Sequence, residues 1–338
     1  MQFVSVRNMA RWVTSTGPEA VIAGMVDVLE RDFRRWQDFE RTPRLAAHSP
    51  VGVIELMPTT DGEQYAFKYV NGHPRNPAHG LQTVTAFGVL ADVYTGYPTF
   101  LAEMTLLTAL RTAATSGLAA RWLAPHDAQV MAMVGTGSQA EFQALGIRSQ
   151  LGIGRLRVFD VDPGATAKFV RNLTPLGFEI EVCSSAAEAA HGAQVVTTCT
   201  ADKQNATVLH LDDIAHGVHV NAIGGDCPGK TELDPRILEG ADVFVEHTEQ
   251  TRVEGEIQHQ PADFAVTELW QVVRGERAGR GTRTTVFDSV GFAIEDFSAL
   301  TFVRDAVRGT GFAEAIDLVT GPDDPKDLFG MLGAPLPV

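Results

Sequence analysis

Cysteine is scarce: the 338-residue chain carries three, Cys183, Cys199 and Cys227. An odd, sparse set excludes a disulfide framework and fits a reducing cytoplasm. Positive charge is also short, 27 Lys and Arg against 42 Asp and Glu, for a net charge of −15. That balance argues against nucleic acid or a membrane surface as partner. No run reaches the roughly 18–20 apolar residues of a membrane span. The opening MQFVSVRNMARW lacks the apolar core of a secretory leader. The expectation is a soluble, cytoplasmic protein. Metal signatures are missing as well. The ten His are dispersed without H-E-x-x-H, and the cysteines form no C-x-x-C. There is no G-x-S-x-G elbow, no internal repeat and no low-complexity segment, so no metal site is expected.

What is present centres on Val130–Ala140. The apolar run from Val130 to Val134 reads as a buried parallel strand. Gly135-Thr136-Gly137-Ser138-Gln139-Ala140 fits G-x-G-x-x-G/A, and a helix-forming run from Glu141 to Ser149 follows. In that spacing Gly135 permits a tight turn and Gly137 lets backbone approach a pyrophosphate. Ala140 lets the helix lie close to the strand. The helix N-terminus offers free N–H groups to an anion. The next apolar run ends in Asp160, placed to accept from both ribose hydroxyls of NAD and to repel a 2′-phosphate. A glycine triplet alone is weak; strand, helix and acid together point to NAD over a merely structural turn.

At about 100–200 residues per domain, the length suits two domains, and 44% hydrophobic residues suffice for two cores. Pro18 to Phe39 has helical spacing, with Val21, Met25, Val28 and Leu29 on one face. Strand-like runs follow at Val51–Met57, Tyr65–Val70, Thr83–Leu90 and Thr99–Met104, with turn signals and no helices between them. They suggest an antiparallel sheet. Thr105 to Leu123 reads as a strong helix with many small residues. Beyond Ala124-Pro125-His126-Asp127, strands alternate with helices, the βαβ pattern of a parallel doubly wound sheet. Strands read at Val130–Val134, Arg155–Asp160, Glu179–Cys183, Gln194–Thr198, His219–Ile223, Val243–Glu246 and Thr285–Asp288, with a last helix from Ile294 to Val307. The expected fold is α/β, a Rossmann-type doubly wound domain plus an α+β substrate-binding and dimerisation domain. Residues 1–125 form the latter and 126–309 the NAD-binding domain. A tail, 310–338, packs back on the first domain.

Ligands of an open α/β sheet sit beyond the carboxyl ends of its strands. After His219–Ile223 comes Gly224-Gly225-Asp226-Cys227-Pro228-Gly229-Lys230, whose glycines let backbone approach a flat ring. Asp226 stands where a general base would; from this segment alone an ordinary turn aspartate is the commoner reading. Ser289-Val290-Gly291 is a second such corner, and Thr200 puts a hydroxyl near the expected cofactor path. Cys227 reads as inert rather than as a nucleophile. The first domain offers Arg44, Lys68 and Arg111. Arg111 lies among apolar and small residues, where a charge wants a partner. A substrate carboxylate or a cofactor phosphate would serve, and so would structural salt bridges.

At this point the chain resembles the ornithine cyclodeaminase and mu-crystallin family over nearly its whole length. The resemblance rests on the nucleotide loop 135–140 and on Asn221–Leu233, with its Gly-Gly-Asp-Cys-Pro-Gly-Lys core. It extends to Gln250–Gln258, Thr267-Glu268-Leu269-Trp270, Phe287–Phe292 and Glu295–Leu300. It implies an enzyme that turns L-ornithine into L-proline and ammonia with retained NAD, as a homodimer joined through the first domains. It implies Asp226 as the catalytic residue, and Arg44, Glu55, Lys68, Arg111 and Val290 as substrate contacts. Cofactor contacts would be Thr83, Arg111, Gly135, Gly137, Ser138, Gln139, Asp160, Thr200, Gly224, Lys230 and Ser289. Alternatives within the resemblance are a lysine cyclodeaminase, an NAD(P)H-dependent ketimine reductase or amino-acid dehydrogenase, and a non-enzymatic binder of the crystallin kind.

Overall fold

Two sheets divide the chain. The structure is a computed structural model and describes residues 1–200, 207–225 and 227–333. The chain opens with β1 (Gln2–Val4), α1 (Val6–Thr16) and α2 (Pro18–Arg34). Ser5 caps α1 by accepting the Asn8 N–H, and Pro18 occupies the first turn of α2, where a missing N–H costs nothing. Then come β2 (Leu45–Ser49), β3 (Gly52–Thr60), β4 (Gln64–Gly72), β5 (Ala86–Asp92), β6 (Pro98–Glu103) and α3 (Thr105–Leu123).

The second half runs β7 (Val130–Val134), α4 (Ala140–Leu151), β8 (Arg155–Phe159), α5 (Pro163–Leu173), β9 (Glu179–Val182), α6 (Ala186–Ala190), β10 (Val195–Thr198) and β11 (His219–Ala222). It continues through α7 (Pro235–Gly240), β12 (Asp242–Val245), α8 (Thr248–Glu254), β13 (Thr267–Glu268), α9 (Leu269–Val273), β14 (Thr285–Asp288), α10 (Ala293–Val307) and β15 (Glu314–Ala315).

The first sheet has the order β15-β1-β6-β5-β4-β3-β2. From β2 to β6 every pairing is antiparallel, as expected from strands without intervening helices. At its other edge β1 pairs parallel to β6 and antiparallel to β15. Strands of two or three residues carry no readable alternation, which is why β1, β13 and β15 are absent from the sequence expectation. Thr83 and Thr85, expected in a strand, precede β5, because the Asn71 side chain takes the Thr85 N–H (2.7 Å) and hydroxyl (2.6 Å).

Alternation splits this sheet into two faces. Glu55, Met57, Ala66, Lys68, Ala86 and Leu90 are buried, and Gly88 would put a Cβ 2.9 Å from Leu300. The covering layer on that face is α10, packed on β3, β4 and β5 and on α2 and α3. The other face presents Leu45, Ile54, Leu56, Tyr65 and Phe87, each at least 39% exposed.

The second sheet has the order β13-β12-β14-β11-β10-β7-β8-β9, all parallel. Successive strands run outward from β7 through β8 to β9, then resume on its other side with β10. The crevice between the ends of β7 and β10 is therefore the topological switch point, where such folds hold ligands. Helix α3 links the halves. Its small residues allow a close crossing with α4: a Cβ on Gly117 would stand 2.9 Å from the Gly146 carbonyl oxygen, and one on Gly146 would overlap the Ala113 carbonyl.

Candidate active site

The glycine loop leaves β7 at the switch point. Gly135 has φ +96°, and a Cβ there would stand 2.8 Å from the Cys199 carbonyl oxygen at the end of β10. Only glycine suits both demands. Gly137 has nothing within 4 Å of where its Cβ would be. The N-cap of α4, Gln139, makes no side-chain capping bond, so the first-turn amides keep their anion-binding capacity. The Gln139 Oε1 is buried with no partner among the described residues. Asp160 follows β8. Its Oδ2 accepts the Thr136 N–H (2.6 Å) and hydroxyl (3.0 Å), and its Oδ1 accepts the Asp162 N–H (2.8 Å). A carboxylate with about four lone-pair sites keeps capacity for a ribose hydroxyl. Open space at Gly137, uncapped amides, the orphaned Gln139 oxygen and this terminal acid fit a dinucleotide.

Opposite this loop, the segment after β10 meets the segment after β11. Lys230, almost fully buried, donates from Nζ to the Thr200 carbonyl at 2.7 Å. Thr200 donates its N–H to Glu232 Oε1 at 2.9 Å, and its hydroxyl bonds the same oxygen. Gly224 is pressed against the Glu232 carboxyl so closely that any Cβ would overlap it. Thr200, Gly224 and Lys230 are thus brought together. Asp226, the expected catalytic residue, lies outside the described residues. Cys199 is half-buried, and desolvation, with Glu232 and Asp160 adding, pushes its thiol above the usual range, which disfavours the reactive thiolate.

The three cations of the first half converge at the end of β14. Arg44 Nη2 donates to the carbonyls of Val290 (2.9 Å) and Gly291 (2.7 Å), while Nη1 lies 3.3 Å from Glu55 and 3.1 Å from Glu254. Lys68 Nζ sits 2.8 Å from Asp296. Arg111 bonds Asp296 through Nε (3.0 Å) and Glu295 through Nη1 (2.8 Å). Arg111 Nη1 also stands 2.7 Å from where a Gly291 Cβ would be, so both guanidinium groups flank Gly291. The Ser289 hydroxyl and the N–H groups of Val290 and Gly291 donate to buried Glu246. Glu55, Lys68, Arg111, Ser289 and Val290 are all buried.

Burial pulls Lys68 down to about 8; Asp296 resists that shift, while Arg111 and Arg44 deepen it. Burial likewise raises Glu246 and Glu295 above the usual carboxylate range. Five carboxyl groups here (Glu55, Glu246, Glu254, Glu295 and Asp296) face three cations. Protonation favoured at two of them moves the balance toward neutrality. In this cluster Arg44 Nε and Glu295 Oε1 are buried with no hydrogen-bond partner among the described residues.

Thr83 stands apart. It lies in the loop between β4 and β5, its carbonyl accepting the His73 N–H at 2.8 Å, and among the described residues it makes no hydrogen bond to this cluster.

A family model for the ornithine cyclodeaminase/mu-crystallin family matches residues 6–311. The chain belongs to the ornithine cyclodeaminase/mu-crystallin family. Among curated relatives, the ornithine cyclodeaminase of Brucella suis is 58% identical over 332 residues, covering 98% of this chain and 93% of the relative. That of Agrobacterium fabrum is 56% identical, covering 98% and 94%. A solved lysine cyclodeaminase, described for its recognition of L-lysine, L-ornithine and L-2,4-diaminobutyric acid, superposes with a TM-score of 0.89. It is 32% identical over 97% of this chain and 98% of its own. An archaeal alanine dehydrogenase dimer with bound NAD gives a TM-score of 0.84 at 29% identity, covering 94% of this chain and all of that one. The family therefore embraces both cyclising and plain redox chemistry on amino acids.

Several acids of the cluster escape sequence reasoning. Glu295 and Asp296 open α10, where the helix dipole favours carboxylates. A readable signal exists, because Glu295 and Asp296 stand among apolar and small residues at the start of α10, and acids buried there need cations. Glu246 and Glu254 carry no such mark; charged residues after strands or in short helices are common on any surface.

Proposed function

We propose that this chain converts L-ornithine to L-proline and ammonia, using NAD held at the switch point between β7 and β10. The observation that carries the reading is the contact of Arg44, from the first half, with the Val290 and Gly291 carbonyls of the second. It supports one crevice bounded by first-half cations and nucleotide-half loops. Identity of 58% to an ornithine cyclodeaminase supports the substrate.

NAD, when bound, supplies a hydride acceptor and donor that opens the substrate α-carbon to attack and closes it again. The chain's own residues do the rest. Arg44, Lys68 and Arg111 clamp the α-carboxylate, with Glu55 and Val290 shaping the same wall. Fixing the carboxylate fixes the α-carbon, which converts an encounter into a positioned reaction. Asp226 takes a proton from the side-chain amine so that it can attack, and returns one to the departing ammonia. Burial of the cations excludes water that would hydrolyse an imine to a 2-oxo acid. Gly135, Gly137, Ser138 and Gln139 take the pyrophosphate, and Asp160 the adenosine ribose. Thr83, Arg111, Thr200, Gly224, Lys230 and Ser289 line the rest of the cofactor path.

We assign residues 1–125 to substrate binding and dimerisation and 126–309 to NAD, with the 310–338 tail returning to the first unit. The pairing of β15 with β1 supports that return, and α10, at the end of the second unit, packs on β3, β4 and β5 of the first. The apolar open face of the first sheet supports a homodimer formed face to face. Three free cysteines suit a cytoplasmic setting, where conversion of ornithine to proline would serve proline biosynthesis.

The test is incubation of the purified protein with ornithine, lysine and alanine separately, with products identified by mass and NADH followed optically. Proline and ammonia from ornithine without net NADH is the expected result. Pipecolate as the main product, or steady NADH accumulation, would overturn the assignment.

A further inference from the structure

Three buried carboxyl groups form a ladder beneath the strand ends. Asp288, the last residue of β14, accepts the N–H groups of Glu256 (2.9 Å) and Ile257 (3.0 Å), one on each oxygen. Glu256 in turn accepts those of Glu232 (2.8 Å) and Leu233 (3.0 Å), again one per oxygen. Glu232 then accepts the N–H and hydroxyl of Thr200. Each rung holds the backbone that carries the next. Each also rests against a glycine. A Cβ at Gly255 would stand 2.6 Å from Asp288 Oδ2, one at Gly225 would stand 2.8 Å from Glu256 Oε1, and one at Gly224 would overlap the Glu232 carboxyl.

The middle rung touches the 224–233 loop twice, at Gly225 near its start and at the Glu232 and Leu233 amides at its end. That loop carries Asp226 and Lys230 in sequence. We propose that Glu256 is a positioning residue for the reaction: it holds Gly225 and the Glu232 and Leu233 amides, which flank Asp226 and Lys230 in sequence, without touching substrate. The proposal rests on the roles assigned to those two residues above.

A carboxyl group is required because two consecutive N–H groups need two acceptors. A glutamine offers one acceptor and turns an NH2 toward the other N–H. Burial pushes Glu256 up to about 8 and Asp288 to about 7, and raises Glu232.

The experiment compares Glu256→Gln and Glu256→Asp with wild type. Glu256→Gln should lower kcat by on the order of 10–100-fold, the loss expected when reacting groups are misplaced by about 1 Å. KM for ornithine should stay within threefold, and Kd for NAD should rise by less than kcat falls, because the 135–140 loop is untouched while Gly224 and Lys230 lie on the loosened one. Hydrogen exchange read by mass spectrometry should quicken in peptides spanning 224–233 and stay unchanged in 135–151. Glu256→Asp, shorter but with both acceptors, should show the same pattern at smaller amplitude and serves alone if the Gln variant does not fold. A folded variant with kcat within twofold of wild type overturns the proposal. So does unchanged exchange at 224–233, or a loss of NAD binding with quickened exchange throughout. Failure of wild type to make proline overturns the ornithine assignment instead; the ladder is then judged on exchange alone.

Discussion

Arg44 donates to the Gly291 carbonyl at 2.7 Å, joining a cation of the first half to the corner that ends the last long-paired strand of the second. Its Nη1 has carboxylates on both sides, yet its Nε has no partner among the described residues. The guanidinium is thus held in place with one donor still to spend. Lysine is a point charge and cannot reproduce that fork. Arg44→Lys should raise the ornithine KM at least tenfold with a smaller effect on kcat, consistent with loss of one charge-assisted hydrogen bond at about 1.5–3 kcal/mol. Steady-state kinetics decide it, and an unchanged KM would remove Arg44 from the carboxylate clamp.

The two loop glycines should behave differently. Gly137→Ala meets open space, so the melting temperature should hold while the NAD Kd rises tenfold or more, because the methyl occupies the pyrophosphate's place. Gly135→Ala puts a Cβ against the Cys199 carbonyl at a positive φ and should destabilise the fold itself. Calorimetry with and without NAD separates them. Equal melting temperatures for the two variants would contradict this account.

Stability should fall as pH rises from about 5 to 8. Asp288 and Glu256 hold protons in the folded chain up to about 7 and about 8, whereas unfolded carboxyls lose them near 4. Unfolding in that window releases protons, so a higher pH favours the unfolded chain. Lys68 acts in the opposite sense at higher pH. Depressed to about 8 in the fold against an ordinary 10.5, it makes unfolding take up a proton between those values, and stability recovers there. Melting curves from pH 5 to 10 should show a minimum near 8; a steady rise from 5 to 8 would refute the assignment of buried, protonated acids.

The open sheet face should govern assembly. Leu56 and Phe87 are exposed there, and Tyr69 stacks on Phe87 with ring centroids 5.1 Å apart. A Leu56→Lys, Phe87→Asp double variant should sediment as a monomer with its parallel-sheet half intact. If wild type is itself a monomer at micromolar concentration, the face-to-face dimer is wrong.

Parts of this architecture are legible in the sequence because their signals are local. The strand, glycine loop, helix and acid from Val130 to Asp160 lie within one short span, each with its own residue preference. Alternation of strands and helices announces a parallel sheet with ligands beyond its strand ends, whereas the crevice between β7 and β10 needs the strand order. The partners of the cations are not local. Lys68 and Asp296 are 228 residues apart, and Arg111 is 184 from Glu295, so no pattern in either segment announces the other. The ladder is hidden for a second reason. Its carboxyls grip backbone N–H groups, which every residue possesses, so the side chains of Glu232, Ile257 and Leu233 give no hint of their role. Thr83 shows the reverse case: its run has strand composition, but the Asn71 side chain satisfies the neighbouring Thr85 groups and β5 starts later.

The edge of the first sheet also sets an order of events. Glu314 and Ala315 pair with the first strand, and the amino terminus donates to the Ile316 carbonyl across 315 residues. On the ribosome, which delivers the amino-terminal half first, β1 to β6 therefore emerge long before α10 and β15 exist. Lys68 and Arg111 must wait for Glu295 and Asp296, with one sheet face bare, until α10 has been synthesised. The nucleotide-binding half can close while translation continues, but the substrate-binding half is finished only once α10 and β15 have emerged. Premature termination ahead of residue 293 would leave a product with its cofactor fold largely written and its amino-acid crevice unbuilt.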